Sequence, residues 1–317
     1  MASAALGLAA ALLLTGGVAT TAADHPLPHW PNASLNSAGT TLTRLESSPS
    51  SAATAGSYSS DWLLANPPPD LGVQAQAGAL LDIDSRRVLW ESHSRERRAP
   101  ASLTKMVTAM VALDHALPET SVHVPPEAAN HNPDWTNMGL DPGERLTVRE
   151  LLYGIFLVSG NDAAETLART LMPRDAFIEA MNAKVRELGL PDTHFANPTG
   201  LDEDGHSSSA FDLAVIAGEL ELHYPDAVAV AAAADVALPA SAEHKEYRLH
   251  SLNKLLTWPY PGGTGLKTGY TEAAGGCVAG SAARDGRRLV AVVLNSDTFF
   301  SDAARLFDYG FGRTPGN

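Results

Sequence analysis

From Ala77 onward, hydrophobic positions follow two different periods. "AGALLDID" (Ala77 to Asp84) and "RRVLWES" (Arg86 to Ser92) are short apolar runs broken at the polar Asp84-Ser85, the pattern of two strands joined as a hairpin. "PASLTKMVTAMVAL" (Pro100 to Leu113) is apolar nearly all the way round and reads as one buried helix, with Pro100 in the first turn, where its missing N–H costs nothing. A helical block follows. Thr147 and Glu150 form a capping box ahead of "LLYGIFLVSG", and "NDAAETLARTL", "RDAFIEAMNAKVRELGL" and "SAFDLAVIAGELEL" keep the same 3.6-residue spacing. The pattern then returns to strands in "GGTGLKTGYT", "AGGCVAGSAAR" and "RRLVAVVLNS", with a turn at Asp285-Gly286, before a closing helix "SDAARLFDYGF". Strands at both ends around a helical block predict an α+β fold: one sheet assembled from sequence-distant pieces, a mostly helical subdomain at about residues 115–225, and a groove between them.

Ahead of Val73 the periodicity fails. Residues 24–72 are rich in Ser, Thr, Ala and Pro ("RLESSPSSAATAGSYSSDW", then "NPPPD"), which predicts a mobile tether with no packed fold before Val73 and a folded domain over 73–317. Ala4 to Leu14 is an apolar stretch of the length of a signal-peptide core, and the small residues "TGGVATTAA" suit cleavage near Ala23. An exported protein is expected, with residues 1–23 as the signal. The first basic residue is Arg44, so a retained anchor is the alternative, although the apolar run is shorter than the ~20 residues that span a bilayer. Only "GRTPGN" follows Phe311, and no C-terminal membrane anchor is expected.

Composition narrows the function classes. The 317 residues are 44% hydrophobic, enough for a sizeable core. A formal net charge of -14 and a pI near 5.1 exclude a nucleic-acid surface, which needs a basic stripe, and disfavour anionic membrane. The single cysteine, Cys277, leaves no intrachain disulfide and no zinc cage of paired cysteines, and reads as a small buried hydrophobe.

The apolar helix poses the chemical question, because it carries Ser102 and Lys105. Three apart, their side chains share one helix face. An ammonium buried among Leu103, Met106, Val107, Met110 and Val111 loses its proton more easily than it loses water, and a neutral amine is a base for the neighbouring hydroxyl. The Ser102 N–H, at a helix N-terminus, faces any oxyanion that develops there. Taken alone, the pair is better read as an N-cap serine and a snorkelling lysine. Two further stretches shift the balance: "SGN" (Ser159, Gly160, Asn161) in a turn between two helices, and "KTG" (Lys267, Thr268, Gly269) on a predicted strand, where glycine admits close approach to the backbone. The order Ser-x-x-Lys, Ser-x-Asn, Lys-Thr-Gly is that of penicillin-recognising serine acyltransferases.

On these motifs, and on "RRAPASLTKMVTA", "FLVSGNDAAETLA", "HFANPTGLDEDGHSSSAFDLAVIA" and "GLKTGYTEAAGGCVAGSAARDGRRLVAVVL", the chain resembles the D-alanyl-D-alanine carboxypeptidases, low-molecular-mass penicillin-binding proteins, from about Ala77 to Phe311. The resemblance implies a β-lactamase/transpeptidase-like fold with a mainly antiparallel sheet flanked by helices. It implies Ser102 as the acylated nucleophile and Lys105 as its proton acceptor. Ser159 would relay a proton to the leaving D-alanine and Asn161 would hold the substrate's peptide carbonyl. Lys267 would raise the local potential, Thr268 bind the terminal carboxylate, and Gly269 and Tyr270 complete the substrate strand, with the N–H groups of Ser102 and Tyr270 as oxyanion hole. The implied partners are the peptidoglycan stem peptide ending in D-Ala-D-Ala and β-lactams as inhibitors, with no metal or organic cofactor. The chain departs from the family pattern at Tyr270, where some relatives have His, and at Thr264, where many have Asp.

Other groups read as structural. His123, Glu127 and His131 lie in a Pro- and Asn-rich loop without the spacing of a metal site, and "DEDGH" (Asp202 to His206) lacks the later ligands of a calcium loop and reads as a turn before a helix. Three alternatives use the same motifs: a DD-endopeptidase cutting cross-links, a β-lactamase, which would add a Glu-x-x-Leu-Asn stretch not found between Asn161 and Lys267, and a non-catalytic cell-wall-peptide binder, which would have lost Ser102 or Lys105.

Overall fold

Near-continuous burial along the terminal strands marks a sheet covered on both faces. The computed structural model describes residues 55–129 and 132–312; the predicted signal, residues 24–54 of the expected tether, His131 and residues 313–317 lie outside the described residues. The strands are β1 (Ala77–Asp82), β2 (Arg87–Ser92), β3 (Ser121–His123), β4 (Arg145–Thr147), β5 (Asp235–Leu238), β6 (Tyr247–His250), β7 (Gly263–Thr271), β8 (Gly275–Arg284) and β9 (Arg287–Leu294). The main sheet has the order β2-β1-β9-β8-β7, antiparallel at every pairing, so the N-terminal hairpin docks on the C-terminal meander through β1 and β9. Asp285 and Gly286, both at positive φ, close the β8–β9 hairpin as their sequence predicts.

The helices are α1 (Asp61–Ala65), α2 (Lys105–His115), α3 (Val148–Leu157), α4 (Asn161–Thr170), α5 (Arg174–Glu187), α6 (Ala210–His223), α7 (Pro225–Ala231), α8 (Lys254–Thr257) and α9 (Phe299–Phe311). Ala79, Leu81, Val290 and Val292 face a core shared with the helical block, while Leu80, Leu289, Ala291 and Val293 face α9 through Ala303, Leu306 and Phe307. Period-two alternation of an all-apolar strand therefore serves two cores at once. Residues Ala210 to Leu220 of α6 are buried without exception, as an apolar helix running under a sheet must be. The capping box of Thr147 and Glu150 forms at the start of α3.

The structure revises two expectations. Pro100 to Leu113 is not one helix: Ala101–Thr104 forms a 3-10 turn and α2 begins at Lys105. The break lies at Ala101, whose φ of 48° is left-handed, and whose carbonyl is taken by the Thr104 hydroxyl at 2.9 Å. Packing also begins before Val73. Tyr58 is buried and meets Phe211 edge-on, and Ser59 bridges to the β2 edge through Ser59 N–H to Arg86 O and Val88 N–H to Ser59 O, each 3.0 Å. Tyr58, isolated among serines, supplies this burial, which a window dominated by polar residues hides; the partly buried Trp62 packs on the α9 side. The short ladders β3–β4 and β5–β6, at three and four residues, are too brief to show a period in the sequence.

Candidate active site

Three sequence-distant pieces meet in one cleft. The 3-10 turn brings Ser102, the turn between α3 and α4 brings Ser159, the first residue of α4 is Asn161, and β7, the last strand of the sheet, brings Thr268, Gly269 and Tyr270; all six line a cleft of about 280 Å³. A neighbouring cavity of about 460 Å³ shares Trp135, Asn161 and Leu201 but has no wall from Ser102 or β7, so the reactive hydroxyl belongs to the smaller space. Lys105 and Lys267 stand behind the cleft wall with no exposed surface.

Lys105 Nζ lies 2.9 Å from Ser102 Oγ, 2.7 Å from Asn161 Oδ1 and 2.6 Å from the Thr199 carbonyl oxygen. Two of these partners accept only. A neutral amine has two protons and one lone pair, so both protons go to Asn161 and Thr199 and the lone pair faces the Ser102 hydroxyl. Burial, the largest cause, and the Lys267 charge hold Lys105 well below the usual lysine range, against the opposing pull of Asp162 and Glu165. Burial alone brings Lys267 down to about 7, while its Nζ donates to the Thr268 carbonyl at 2.7 Å. The pair is thus a base beside a serine and a titratable cation beneath a peptide strand.

The turn carrying Ser159 is held from outside. The Asp162 carboxylate accepts the N–H groups of Met138 (2.8 Å), Gly139 (2.7 Å) and Leu140 (3.0 Å), and the Thr136 carbonyl accepts Asn161 N–H at 2.9 Å, fastening residues 136–140 over the turn. Ser159 adopts a φ of 59°, and its Oγ is buried with no hydrogen-bond partner among the described residues although Ser159 lines the cleft. A buried hydroxyl left unpaired inside a cleft is a group waiting for a ligand or a water. On the opposite wall, a Cβ on Gly269 would sit 2.9 Å from Ser102 N, so glycine is what lets β7 lie against the serine turn. Tyr270 projects outward, 72% exposed, leaving its backbone as its contribution to the cleft.

Sequence reasoning missed several members. Thr199 enters through a backbone carbonyl, which no side-chain motif announces. Asn197 builds its turn by accepting from Thr199 N–H, Thr199 Oγ1 and Gly200 N–H at 3.1, 2.9 and 2.8 Å. An Asn-Pro-Thr-Gly sequence is a turn signal and was the available clue. Trp135, Leu252, Phe299 and Phe300 supply the apolar rim from loops and helix ends. His123 and Glu127 are exposed and Cys277 is buried, its thiol pushed up to about 11 by burial.

The comparisons with known proteins agree with this geometry. The family model for D-alanyl-D-alanine carboxypeptidase (peptidase S11) matches residues 64–298. D-alanyl-D-alanine carboxypeptidase DacF of Bacillus subtilis is 36% identical over 251 residues, 77% of this chain and 64% of the relative; DacB2 of Mycobacterium tuberculosis is 38% identical over 249 residues, 76% and 84% respectively. The chain thus spans just under two thirds of the Bacillus relative's length. Among solved structures, a D-alanyl-D-alanine carboxypeptidase of Mycobacterium tuberculosis superposes with a TM-score of 0.71 at 36% identity, covering 79% of this chain and 95% of that one. A variant of a Streptomyces DD-transpeptidase gives 0.72 at 27% identity, covering 78% and 100%. The α+β fold is therefore the penicillin-binding-protein fold, and the chain belongs to the D-alanyl-D-alanine carboxypeptidase family of serine peptidases.

Proposed function

We propose that this protein is a serine D-Ala-D-Ala carboxypeptidase that removes the terminal D-alanine from peptidoglycan stem pentapeptides at the cell-wall side, after export through the apolar Ala4–Leu14 segment. One observation carries the reading: a fully buried amine, held well below the usual lysine range by that burial, lies 2.9 Å from the Ser102 hydroxyl.

The chemistry follows from the atoms. The peptide lies extended along β7, the unpaired edge of the sheet, with its terminal carboxylate at Thr268 above the Lys267 charge. Ser102 Oγ attacks the carbonyl carbon of the D-Ala-D-Ala bond as its proton passes to Lys105 Nζ. The oxyanion falls between the N–H groups of Ser102 and Tyr270. The proton then moves from Lys105 through Ser159 Oγ to the departing nitrogen, the C–N bond breaks, and free D-alanine leaves an ester on Ser102. Water, deprotonated by Lys105, attacks that ester and returns Ser102. In a β-lactam the broken C–N bond lies within a ring, so the leaving amine stays tethered in the cleft.

Labelled penicillin tests the assignment: it is expected to attach covalently to the protein and not to Ser102→Ala. Label on the folded Ser102→Ala protein refutes the reading. A DD-endopeptidase is the second reading. A groove of about 690 Å³ shares Leu252, Phe299 and Phe300 with the cleft, giving room beyond the scissile bond for a second stem. D-alanine release from a pentapeptide without cleavage of a cross-linked dimer selects the carboxypeptidase.

A further inference from the structure

His206, within the "DEDGH" turn, is buried inside the protein and hydrogen-bonded at both ring nitrogens. The backbone N–H of Ala196 lies 3.0 Å from Nδ1, so Nδ1 is the bare acceptor and the proton resides on Nε2. Nε2 lies 2.8 Å from Thr104 Oγ1, which must therefore accept, and the Thr104 hydroxyl proton goes to the Ala101 carbonyl at 2.9 Å. The chain of donors runs one way only: Ala196 to His206 to Thr104 to Ala101 O.

That carbonyl shares a peptide unit with the Ser102 N–H. A trans peptide is planar, so its C=O and N–H point in opposite directions and cannot be aimed separately. The local backbone does not choose the direction by itself, because Ala101 sits at a φ of 48°, a region sparsely used by residues with a Cβ. Gly200 presses on the same oxygen: a Cβ there would come within 1.9 Å of Ala101 O. We propose that His206 is a positioning residue for the oxyanion hole, fixing through Thr104 the Ala101–Ser102 peptide plane and hence the aim of the Ser102 N–H. The inference rests on the serine-acylation reading above. The ring holds this arrangement as a neutral imidazole: burial, helped by His194 against the pull of Asp202, brings it down to about 4.

The test separates aim from stability. Acylation by a fluorescent penicillin is resolved by stopped flow into a binding constant and a first-order acylation rate, alongside thermal melting. His206→Gln retains a donor at the Nε2 position for Thr104, whereas His206→Asn retains only an acceptor at the Nδ1 position. Thr104→Ser keeps the hydroxyl and Thr104→Val removes it at constant shape. Thr104→Val and His206→Asn are expected to acylate about 10–100-fold more slowly with binding changed less than about 3-fold, a partial loss of one oxyanion donor. His206→Gln and Thr104→Ser are expected within about 3-fold of the parent rate, as carriers of that same donor. Folded Thr104→Val and His206→Asn with parental acylation rates overturn the proposal, as does an equal slowing of His206→Gln and His206→Asn at matched melting temperature. If neither Thr104→Val nor His206→Asn folds, the network is structural and the proposal falls. A parent protein that takes no label rejects the acylation reading itself.

Discussion

Replacing Lys267 with methionine is expected to stabilise the protein while abolishing D-alanine release. Lys267 has no exposed surface, and burial lowers it from 10.5 to about 7. The unfolded chain keeps its proton up to about pH 10.5, so between pH 7 and that value the unfolded state binds more protons than the folded one, and wild-type stability rises with pH. At and below pH 7 the full penalty applies. At about 1.4 kcal/mol per pH unit it reaches about 5 kcal/mol, a large fraction of a domain's net stability. Methionine has nearly the same length and no proton to lose, so the advantage of Lys267→Met is greatest at pH 7 and below and shrinks by about 1.4 kcal/mol for each unit above it. Relief of Lys105, whose range Lys267 also depresses, adds in the same direction. Urea unfolding of both proteins at pH 6.5, 8 and 9.5 reads the difference. A variant less stable than the parent at pH 6.5, or a gain that does not change with pH, refutes the argument that a buried amine strained by desolvation sits under the cleft.

Asp162 raises Lys105, so Asp162→Asn is expected to move the acid limb of the acylation rate to lower pH. It also sets an amide NH2 against the N–H groups it held, costing about 1–3 kcal/mol. A pH–rate profile for penicillin labelling checks the first effect, and an unmoved or upward-shifted limb contradicts it. Gly200→Ala, at a φ of 86° and with its Cβ 1.9 Å from Ala101 O, is expected to lose more than about 2 kcal/mol of stability. Its labelling rate is expected to fall by more than about 10-fold through the displaced Ser102 N–H, and a rate within 2-fold of the parent contradicts this.

The main sheet and the long helices were legible because their signals are local. Hairpins at Asp84-Ser85 and Asp285-Gly286, the Thr147 capping box and the 3.6-residue spacing of α3 to α6 each need only a few neighbouring residues to be recognised. Tyr58 shows the limit: its partner Phe211 is far along the chain, and nothing near Tyr58 announces a core. The 3-10 turn was hidden for a similar reason. Pro100 to Leu113 is apolar nearly all the way round, and the Ala101 carbonyl at the irregular start accepts from Thr104, which in turn meets His206, in a segment that read as an ordinary turn. Ser102, Lys105, Ser159, Asn161, Lys267, Thr268, Gly269 and Tyr270 were visible as short motifs. The third partner of Lys105 was not, since any residue at position 199 presents a carbonyl.

Strand order is the part no motif encodes, and the cleft depends on it. β7 lies at the sheet's edge, with β8 on one side. An open edge invites pairing with other chains, and proteins normally cover or charge it. Here the serine turn lies against β7 at Gly269, whose missing Cβ admits Ser102 N, while beyond it the exposed Tyr270 marks where backbone remains reachable. On the proposed function, an extended peptide added there would complete the ladder and pass the Ser102 hydroxyl, beside an amine that burial holds well below the usual lysine range. Had β7 been interior, both its edges would be satisfied by neighbours and Lys267 would lie under a closed sheet. On the proposed function, the same liability that makes a bare edge hazardous would let one strand recognise a peptide main chain and present it to Ser102.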